Sequence, residues 1–388
     1  MNDNHPRYIE ETGWRYDTLH SMHRRMQGHD YHERCIYMIT MATEGRRPLF
    51  GVLRWQPGKP DEAWFDPAAL GMEVEQCWLS IEKYNPGVVP LALQLMPDHL
   101  HGLLFVTKEH EAHLGKIING FKIGCNKAFR KLNLQMISPT SASTAPQGSR
   151  SDKHPEHGLL FEPGYQDSIL MGKGQLERMF RYIADNPRRL AVKKENPDLF
   201  RVVRRLVVKC QEALPEVKCP ETLPEVRCQE AVPLETEREM VFAAIGNSWL
   251  LQKPDRMQVR CHNNERPENK RLIQSQKEYF LDRGRKGGVV VSPCISAGEK
   301  EIARAALEAG VPLIVILENG FPPMYKPPGR YFEACAKGLL LMLAPWPYHM
   351  ERRTITRQQC LALNDMAYML STEPWTKDLE ERLTNRKP

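Results

Sequence analysis

Two apolar runs, Val88 to Leu95 and Leu103 to Val106, flank the polar stretch Met96-Pro97-Asp98-His99-Leu100-His101-Gly102. Runs that are apolar on both faces predict strands buried between two layers. Pro97-Asp98 predicts the turn between them, so that the second strand runs from His99 to Val106. Side chains alternate along a strand, which puts His99 and His101 on one face and Leu100 on the other. Around this pair, Cys35 to Thr43 and Pro48 to Trp55 alternate as strands, joined as a hairpin through Glu44 to Arg47. Leu70, Val74, Cys77, Trp78 and Ile81 recur at helical spacing over Pro67 to Tyr84, and Asn85-Pro86-Gly87 ends that helix. A second helix over Glu109 to Leu132 has Leu114, Ile117, Ile118, Phe121, Cys125 and Phe129 on one side and Lys116, Lys122, Lys127, Arg130 and Lys131 largely elsewhere. Gly164 to Leu170 reads as a strand. Gln175 to about Asp185 reads as a helix that Pro187 stops, leaving Asn186 at its end.

The pattern changes twice. Residues 139–157 are dense in Ser, Thr, Pro and Gly and predict a flexible insertion. From Cys210 a nine-residue unit repeats at Cys219 and Cys228, with a proline in each copy, and predicts an extended spacer. These features divide the chain into an arm (1–30), a domain (31–205), a linker (206–236) and a second domain (237–388). In the second domain Val241 to Ile245, Gly287 to Ser292, a helix from about Glu299 to Glu308, Val311 to Leu317 and Leu339 to Leu343 follow one another. The strand-loop-helix-strand middle predicts a parallel, Rossmann-like sheet.

With 388 residues and 41% hydrophobic content the chain is long enough for two or three domains with real cores. The net charge of +6 is modest, yet the basic residues cluster: Arg188, Arg189, Lys193, Lys194, Arg201, Arg204 and Arg205 follow the last helix of the first domain. Such a run is either a solvated surface or a track for a polyanion, and nucleic acid is the natural partner. The ten cysteines form no C-x-x-C pair and the start of the chain is polar, which argues against a disulfide framework, a zinc finger or a secretory signal and for a reducing cytoplasm. No apolar run reaches the ~18 residues of a membrane span, so no membrane partner is expected.

Two imidazoles on one strand face can share a metal ion, although His-x-His also occurs by chance. Tyr182 and Asn186 stand one turn apart on one helix face. A helical tyrosine is otherwise a core residue, and an asparagine before proline a cap. A phenol has a pKa near 10 and is a weak nucleophile, but a phosphodiester drawn to a metal is a better electrophile. The amide oxygen of Asn186 could complete the ligand set of Mg²⁺ or Mn²⁺ beside His99 and His101. Lys116, Lys122 and Lys127 on the second helix, with Arg188, Arg189, Lys193 and Lys194, are the candidate DNA contacts. In the second domain Ser292, Ser296 and Gly298 lie in a loop entering a helix N-terminus, where phosphate binds readily. That loop is neither a Walker loop nor a G-x-G-x-x-G fingerprint. It is a phosphate site, or it simply turns the chain and caps the helix.

From about Tyr31 to Phe200 the chain resembles the single-tyrosine transposases of the His-hydrophobic-His superfamily, most closely the REP-associated tyrosine transposases. The likeness rests on Met96-Pro97-Asp98-His99-Leu100-His101, Gly164-Tyr165-Gln166-Asp167 and Tyr182-Ile183-Ala184-Asp185-Asn186-Pro187. It implies a ferredoxin-like antiparallel sheet with helices, with His99, His101 and Asn186 as metal ligands. It also implies Tyr182 as the nucleophile that forms a 5′-phosphotyrosyl bond and leaves a 3′-OH. The long insertion and the following domain depart from the family's short form. The second half resembles the Rossmann-like domain of DNA-processing proteins of natural competence and their lysine-decarboxylase-like relatives, through Gly287 to Ser292, Ala297-Gly298, Gly310 to Leu317 and Tyr325 to Arg330. That class binds single-stranded DNA or a nucleotide. The expectation is therefore a metal-dependent transposase acting on single-stranded, hairpin-bearing DNA, as a monomer or homodimer, with single-stranded DNA or a nucleotide at the second domain. A nucleic-acid-binding protein without turnover, and a metal-dependent nuclease that uses water in place of Tyr182, are the competing readings.

Overall fold

The computed structural model describes residues 28–136, 160–211, 237–261, 267–322, 325–349 and 354–384, together with Met26 and two short paired strands, β1 (Arg7–Ile9) and β2 (Gly13–Arg15). Most of the expected arm 1–30, the insertion 139–157 and the repeats from residue 212 onward lie outside the described residues. Contacts divide the chain into two units, Met1–Glu195 and Asn196–Pro388.

The first unit continues through β3 (Cys35–Ala42), β4 (Gly51–Gln56), β5 (Lys59–Pro67), α1 (Ala69–Leu79), α2 (Ile81–Tyr84), β6 (Val88–Met96), β7 (His99–Val106), α3 (Leu114–Met136), β8 (Gln166–Leu170) and α4 (Gln175–Glu195). Four strands form one sheet in the order β6-β7-β3-β8, every neighbour antiparallel. Setting aside β4, β5, the short α2 and α4, the order β-α-β-β-α-β in this sheet is a ferredoxin-like arrangement. The period of two along β7 and β3 sorts their side chains. Leu100, Leu104, Tyr37, Ile39 and Met41 join Trp78 of α1 and Ile117 and Phe121 of α3 in one core. Leu103 and Met38 face the other way and pack with Ile183 of α4. The sheet is thus covered on both sides, and α4 lies over the face that carries His99 and His101. Gly102 fits this packing, because a Cβ there would sit 2.2 Å from Cζ2 of Trp78.

Three expectations are corrected. The hairpin between Cys35–Thr43 and Pro48–Trp55 does not form: β3 pairs with β7 and β8, while β4 pairs with β5. The polar β5 has little apolar pattern, but Pro57-Gly58 separates it from β4, and Gly58 has φ 79°, where glycine turns at no steric cost. The helix over Pro67–Tyr84 is two helices that meet at Ser80. Pro187 does not end α4, which runs to Glu195 with Asn186 buried inside it. Proline removes one helix N–H and crowds the carbonyl four residues back. Here Nδ2 of Asn186 donates to the carbonyls of Tyr182 at 2.9 Å and Ile183 at 3.5 Å. The β4–β5 pair holds the half of α4 beyond the proline: Trp55 Nε1 (3.0 Å) and the Gly58 N–H (2.8 Å) donate to Glu195, and Arg188 pairs with Asp61 at 3.2 Å.

The second unit contains β9 (Val203–Gln211), β10 (Glu237–Gly246), β11 (Arg256–Gln258), α5 (Pro267–Arg285), β12 (Val289–Ser292), α6 (Ala297–Glu308), β13 (Leu313–Ile316), α7 (Arg330–Ala336), β14 (Leu340–Ala344), α8 (Arg357–Leu370) and α9 (Lys377–Thr384). Its sheet runs β11-β12-β13-β14-β10-β9. The first four strands are parallel, as the strand-helix-strand spacing predicts. β10 and β9 are antiparallel, so the sheet is mixed rather than wholly parallel. β9 comes before the repeat segment and pairs with β10 after it. Val289, Val291, Ile314, Ile316, Leu341 and Leu343 point to a core shared with Leu363, Ala367 and Leu370 of α8.

Candidate metal and nucleophile site

His99 and His101 are both buried on β7, with ring centroids 5.0 Å apart and planes nearly perpendicular at 86°. Each has an oxygen beside Nδ1. His99 Nδ1 donates to Oδ1 of Asp98 at 2.6 Å, and His101 Nδ1 lies 2.9 Å from Oγ1 of Thr40, its partner across the β3–β7 ladder. A proton held on Nδ1 puts the ring lone pair on Nε2, the nitrogen a metal takes, and such oxygens fix ring orientation in metal sites. Asp98 is itself fixed. Its carbonyl accepts from the Thr43 N–H at 2.9 Å, and its Oδ2 lies 3.6 Å from Nη1 of Arg46. Burial pushes the Asp98 carboxyl up, but the hydrogen bond and charge of His99 and the charge of Arg46 outweigh it and hold the group below its ordinary value.

Tyr182 presents its ring edge to His101, with centroids 5.6 Å apart at 70°. Burial raises the phenol above its ordinary pKa, opposed by the Arg189 guanidinium, which stands 6.0 Å over the ring centre. The phenol is therefore protonated at neutral pH. Asn186 follows one turn later on the same helix face. Its nitrogen is committed to the helix carbonyls, so its oxygen is the end available for a ligand role. No set of three His, Cys, Asp or Glu side chains placed for a metal exists among the described residues. Two nitrogen donors and an amide oxygen suit Mn²⁺ or Mg²⁺ with remaining positions left for water and phosphate.

The basic candidates separate. Lys116, Lys122 and Lys127 lie on α3, across the sheet from the histidine pair. Lys116 and Lys127 are exposed. Lys122 is turned inward: Nζ donates to the carbonyls of Glu162, at 3.0 Å, and Gly164, and burial lowers it to about 8. It ties α3 to the strand leading into β8 rather than facing a ligand. Arg188, Arg189, Lys193 and Lys194 lie on α4, the layer that carries Tyr182. Arg188 is engaged by Asp61 and Asp185, and Lys194 stands 5.5 Å over the Trp55 ring. Arg201, Arg204 and Arg205 belong to the other unit, so the basic run is not one continuous tail. Thr40 and Arg46 were not singled out by the sequence. Thr40 needs the strand register to place it opposite His101, which no local pattern supplies.

In the second unit the loop from Ser292 to Gly298 is occupied by its own chain. Ser296 Oγ accepts from the Glu299 N–H at 3.1 Å, while Oε2 of Glu299 accepts from Ile295 at 2.7 Å and Ser296 at 3.3 Å. Ser292 Oγ accepts from the Cys294 N–H at 3.0 Å. This is a capping box. The Ser296 hydroxyl and the N–H groups of Ile295, Ser296 and Glu299 are thus engaged within the loop. Beside it, at the carboxyl ends of β12 and β13, lies a cavity of about 530 Å³ lined by Lys300, Arg304, Arg330, Leu307, Leu317 and Tyr331 among others.

No protein-family model matches the chain. An uncharacterized protein of Haemophilus influenzae is 24% identical over 164 residues, 42% of this chain and 86% of that protein. Among solved structures, a REP-associated tyrosine transposase bound to a REP hairpin is similar over 42% of this chain and 72% of that one, at 10% identity and a TM-score of 0.25. A candidate transposase from Deinococcus radiodurans is similar over 42% of this chain and 97% of that one, at 17% identity and a TM-score of 0.23. No helix among the described residues is long and apolar enough to cross a membrane.

Proposed function

We propose that the first unit is a metal-dependent DNA strand transferase of the transposase type, acting on single-stranded, hairpin-bearing DNA. The observation that carries this reading is the meeting of Tyr182 with the oriented pair His99 and His101 in one buried site, all from a single chain. His99 and His101 through Nε2, and Asn186 through its amide oxygen, would hold Mg²⁺ or Mn²⁺. The bound cation would supply positive charge to the phosphodiester oxygens. Tyr182 Oη then attacks phosphorus. The bond to the 3′ oxygen breaks, the 5′ side stays on tyrosine as a phosphodiester, and the phenolic proton ends on the released 3′-OH. Arg189 beside the ring favours the phenolate that develops and contacts the same phosphate. α4 gives the strand its basic track, with Arg189 and Lys193 nearest in role to the ligand.

The test is a denaturing gel with labelled single-stranded hairpin DNA and Mn²⁺. A covalent adduct that is lost in Tyr182→Phe is expected. Release of both ends without an adduct would replace this reading by a water-using nuclease, and binding alone by a binding protein. For the second unit a nucleoside phosphate is proposed in the cavity beside the capped loop. Lys300 and Arg304, one turn apart on α6 and with no ion pair to a described residue, would receive the phosphate. Titration of the full chain with ATP should give binding that weakens at least tenfold in a Lys300→Ala, Arg304→Ala double variant, and equal binding by both proteins would remove the site.

A further inference from the structure

Eight of the ten cysteines fall within the described residues, and none of the eight is in a disulfide. Two of them face each other. Cys77 on α1 and Cys125 on α3 belong to the same helix-to-helix contact, where Cys77 Sγ packs 3.3 Å from the position a Cβ would take on Gly124, the residue before Cys125. The absence of a side chain at Gly124 is what lets α1 and α3 approach closely at this level. The two thiols differ in environment. Cys125 is fully buried and Cys77 is only partly so, which leaves Cys77 as the sulfur a small solute reaches first.

We propose that Cys77 and Cys125 form a peroxide-responsive dithiol, in which Cys77 is oxidised first and Cys125 resolves it to a disulfide joining α1 to α3. In the first step the Cys77 thiolate displaces hydroxide from a hydroperoxide such as H₂O₂, giving a sulfenic acid. In the second the Cys125 thiol attacks that sulfur, the S–O bond breaks, and the proton and hydroxyl leave as water. Two thiols and one peroxide thus give one disulfide and two waters, and a dithiol reductant reverses the change.

The electrostatics agree with this order. The hydrogen bond from Cys125 lowers the Cys77 thiol to about 7 despite its burial, whereas burial raises Cys125. Thiolate is the reactive form, and a thiol that titrates near ambient pH combines thiolate content with nucleophilicity. Burial instead pushes up the thiols of Cys35, Cys210, Cys261, Cys294 and Cys335, which makes them poor competitors. The cross-link would lie in the helical layer behind β7. Trp78, next to Cys77, packs against Gly102, the residue after His101, so oxidation is felt next to the strand that carries the imidazoles.

The experiment is peptide mass spectrometry of the native full-length chain after brief treatment with equimolar H₂O₂, with remaining thiols alkylated in denaturant before digestion. A Cys77–Cys125 linked peptide is expected as the main product, and treatment of the unfolded chain should not favour it. In Cys125→Ala, dimedone should instead trap the sulfenic acid on Cys77. Recovery of Cys77 and Cys125 as free thiols while other cysteines oxidise would overturn the proposal, as would a linked peptide equally abundant from the unfolded chain. The wild-type measurement stands by itself if the variant does not fold. It is also independent of strand transfer, since no DNA or metal enters it.

Discussion

Two segments of this chain offered a ligand site in the sequence: the strand with His99 and His101, and the loop from Ser292 into α6. In the first, Oδ1 of Asp98 and Oγ1 of Thr40 each lie against Nδ1 of one ring, and Tyr182 packs edge-on against His101. In the second, the carboxylate of Glu299 accepts the backbone N–H groups of Ile295 and Ser296. The polar groups around the histidines hold the rings beside Tyr182, while those around the loop bind its own backbone N–H groups.

The largest effect that would sharpen this contrast is at Tyr182. Tyr182→Phe keeps the ring beside His101 and removes only the nucleophilic oxygen, so adduct formation should fall by about 10⁴-fold or more. Affinity for single-stranded DNA, read by fluorescence anisotropy, should stay within a factor of about two. An undiminished adduct would move the nucleophile elsewhere. Next in size are the residues behind the rings. Thr40→Val and Asp98→Asn should each weaken Mn²⁺ binding by about 10–100-fold, because outer partners fix the tautomer and orientation of metal-binding imidazoles. Calorimetry showing wild-type Mn²⁺ affinity in both would reduce those contacts to packing.

Stability effects follow. Gly102→Ala forces a methyl into Trp78 and should cost about 1–3 kcal/mol in denaturant unfolding, with cleavage reduced because β7 shifts. A neutral outcome would show that the α1 layer can yield. At the closed loop the sign depends on pH. Burial raises the Glu299 carboxyl above its ordinary 4.5, against the lowering by its backbone hydrogen bonds. The folded state therefore holds this proton more tightly, and the group's contribution to stability is full below pH 4.5 and declines as pH rises through the raised folded value. Glu299→Gln keeps an acceptor oxygen without the charge, so unfolding measured across this window should lose that decline. An unchanged pH profile would mean that the carboxylate is better solvated than its burial indicates. The smallest effect expected is at Lys122: Lys122→Met should leave the salt dependence of DNA binding unchanged, whereas neutralising Arg189 and Lys193 should flatten the log–log slope by about 0.7 per lost phosphate contact.

Much of the site was legible because its information is local. Alternation along β7 placed His99 and His101 on one face, and the four-residue spacing of Tyr182 and Asn186 placed them on one side of a helix. Strands β6, β7 and β12 to β14 could be read for the same reason: continuous apolar runs admit few other structures. What failed depended on partners far away in the chain. β3 pairs with β7 and β8 rather than with its neighbour β4, because the long apolar β7 offers it a buried place that a polar hairpin cannot. α4 passes through Pro187 because an asparagine side chain takes up the carbonyls that proline disturbs and the β4–β5 pair holds the far half of the helix. The sequence by itself therefore determined which residues could do chemistry and on which face each stands. Only the tertiary structure decided which were brought together: Tyr182 over His101, Thr40 across from it, Lys122 folded inward, and Glu299 over its own loop. Hydrogen-bond partners and burial are properties of the assembled fold, and no local period encodes them.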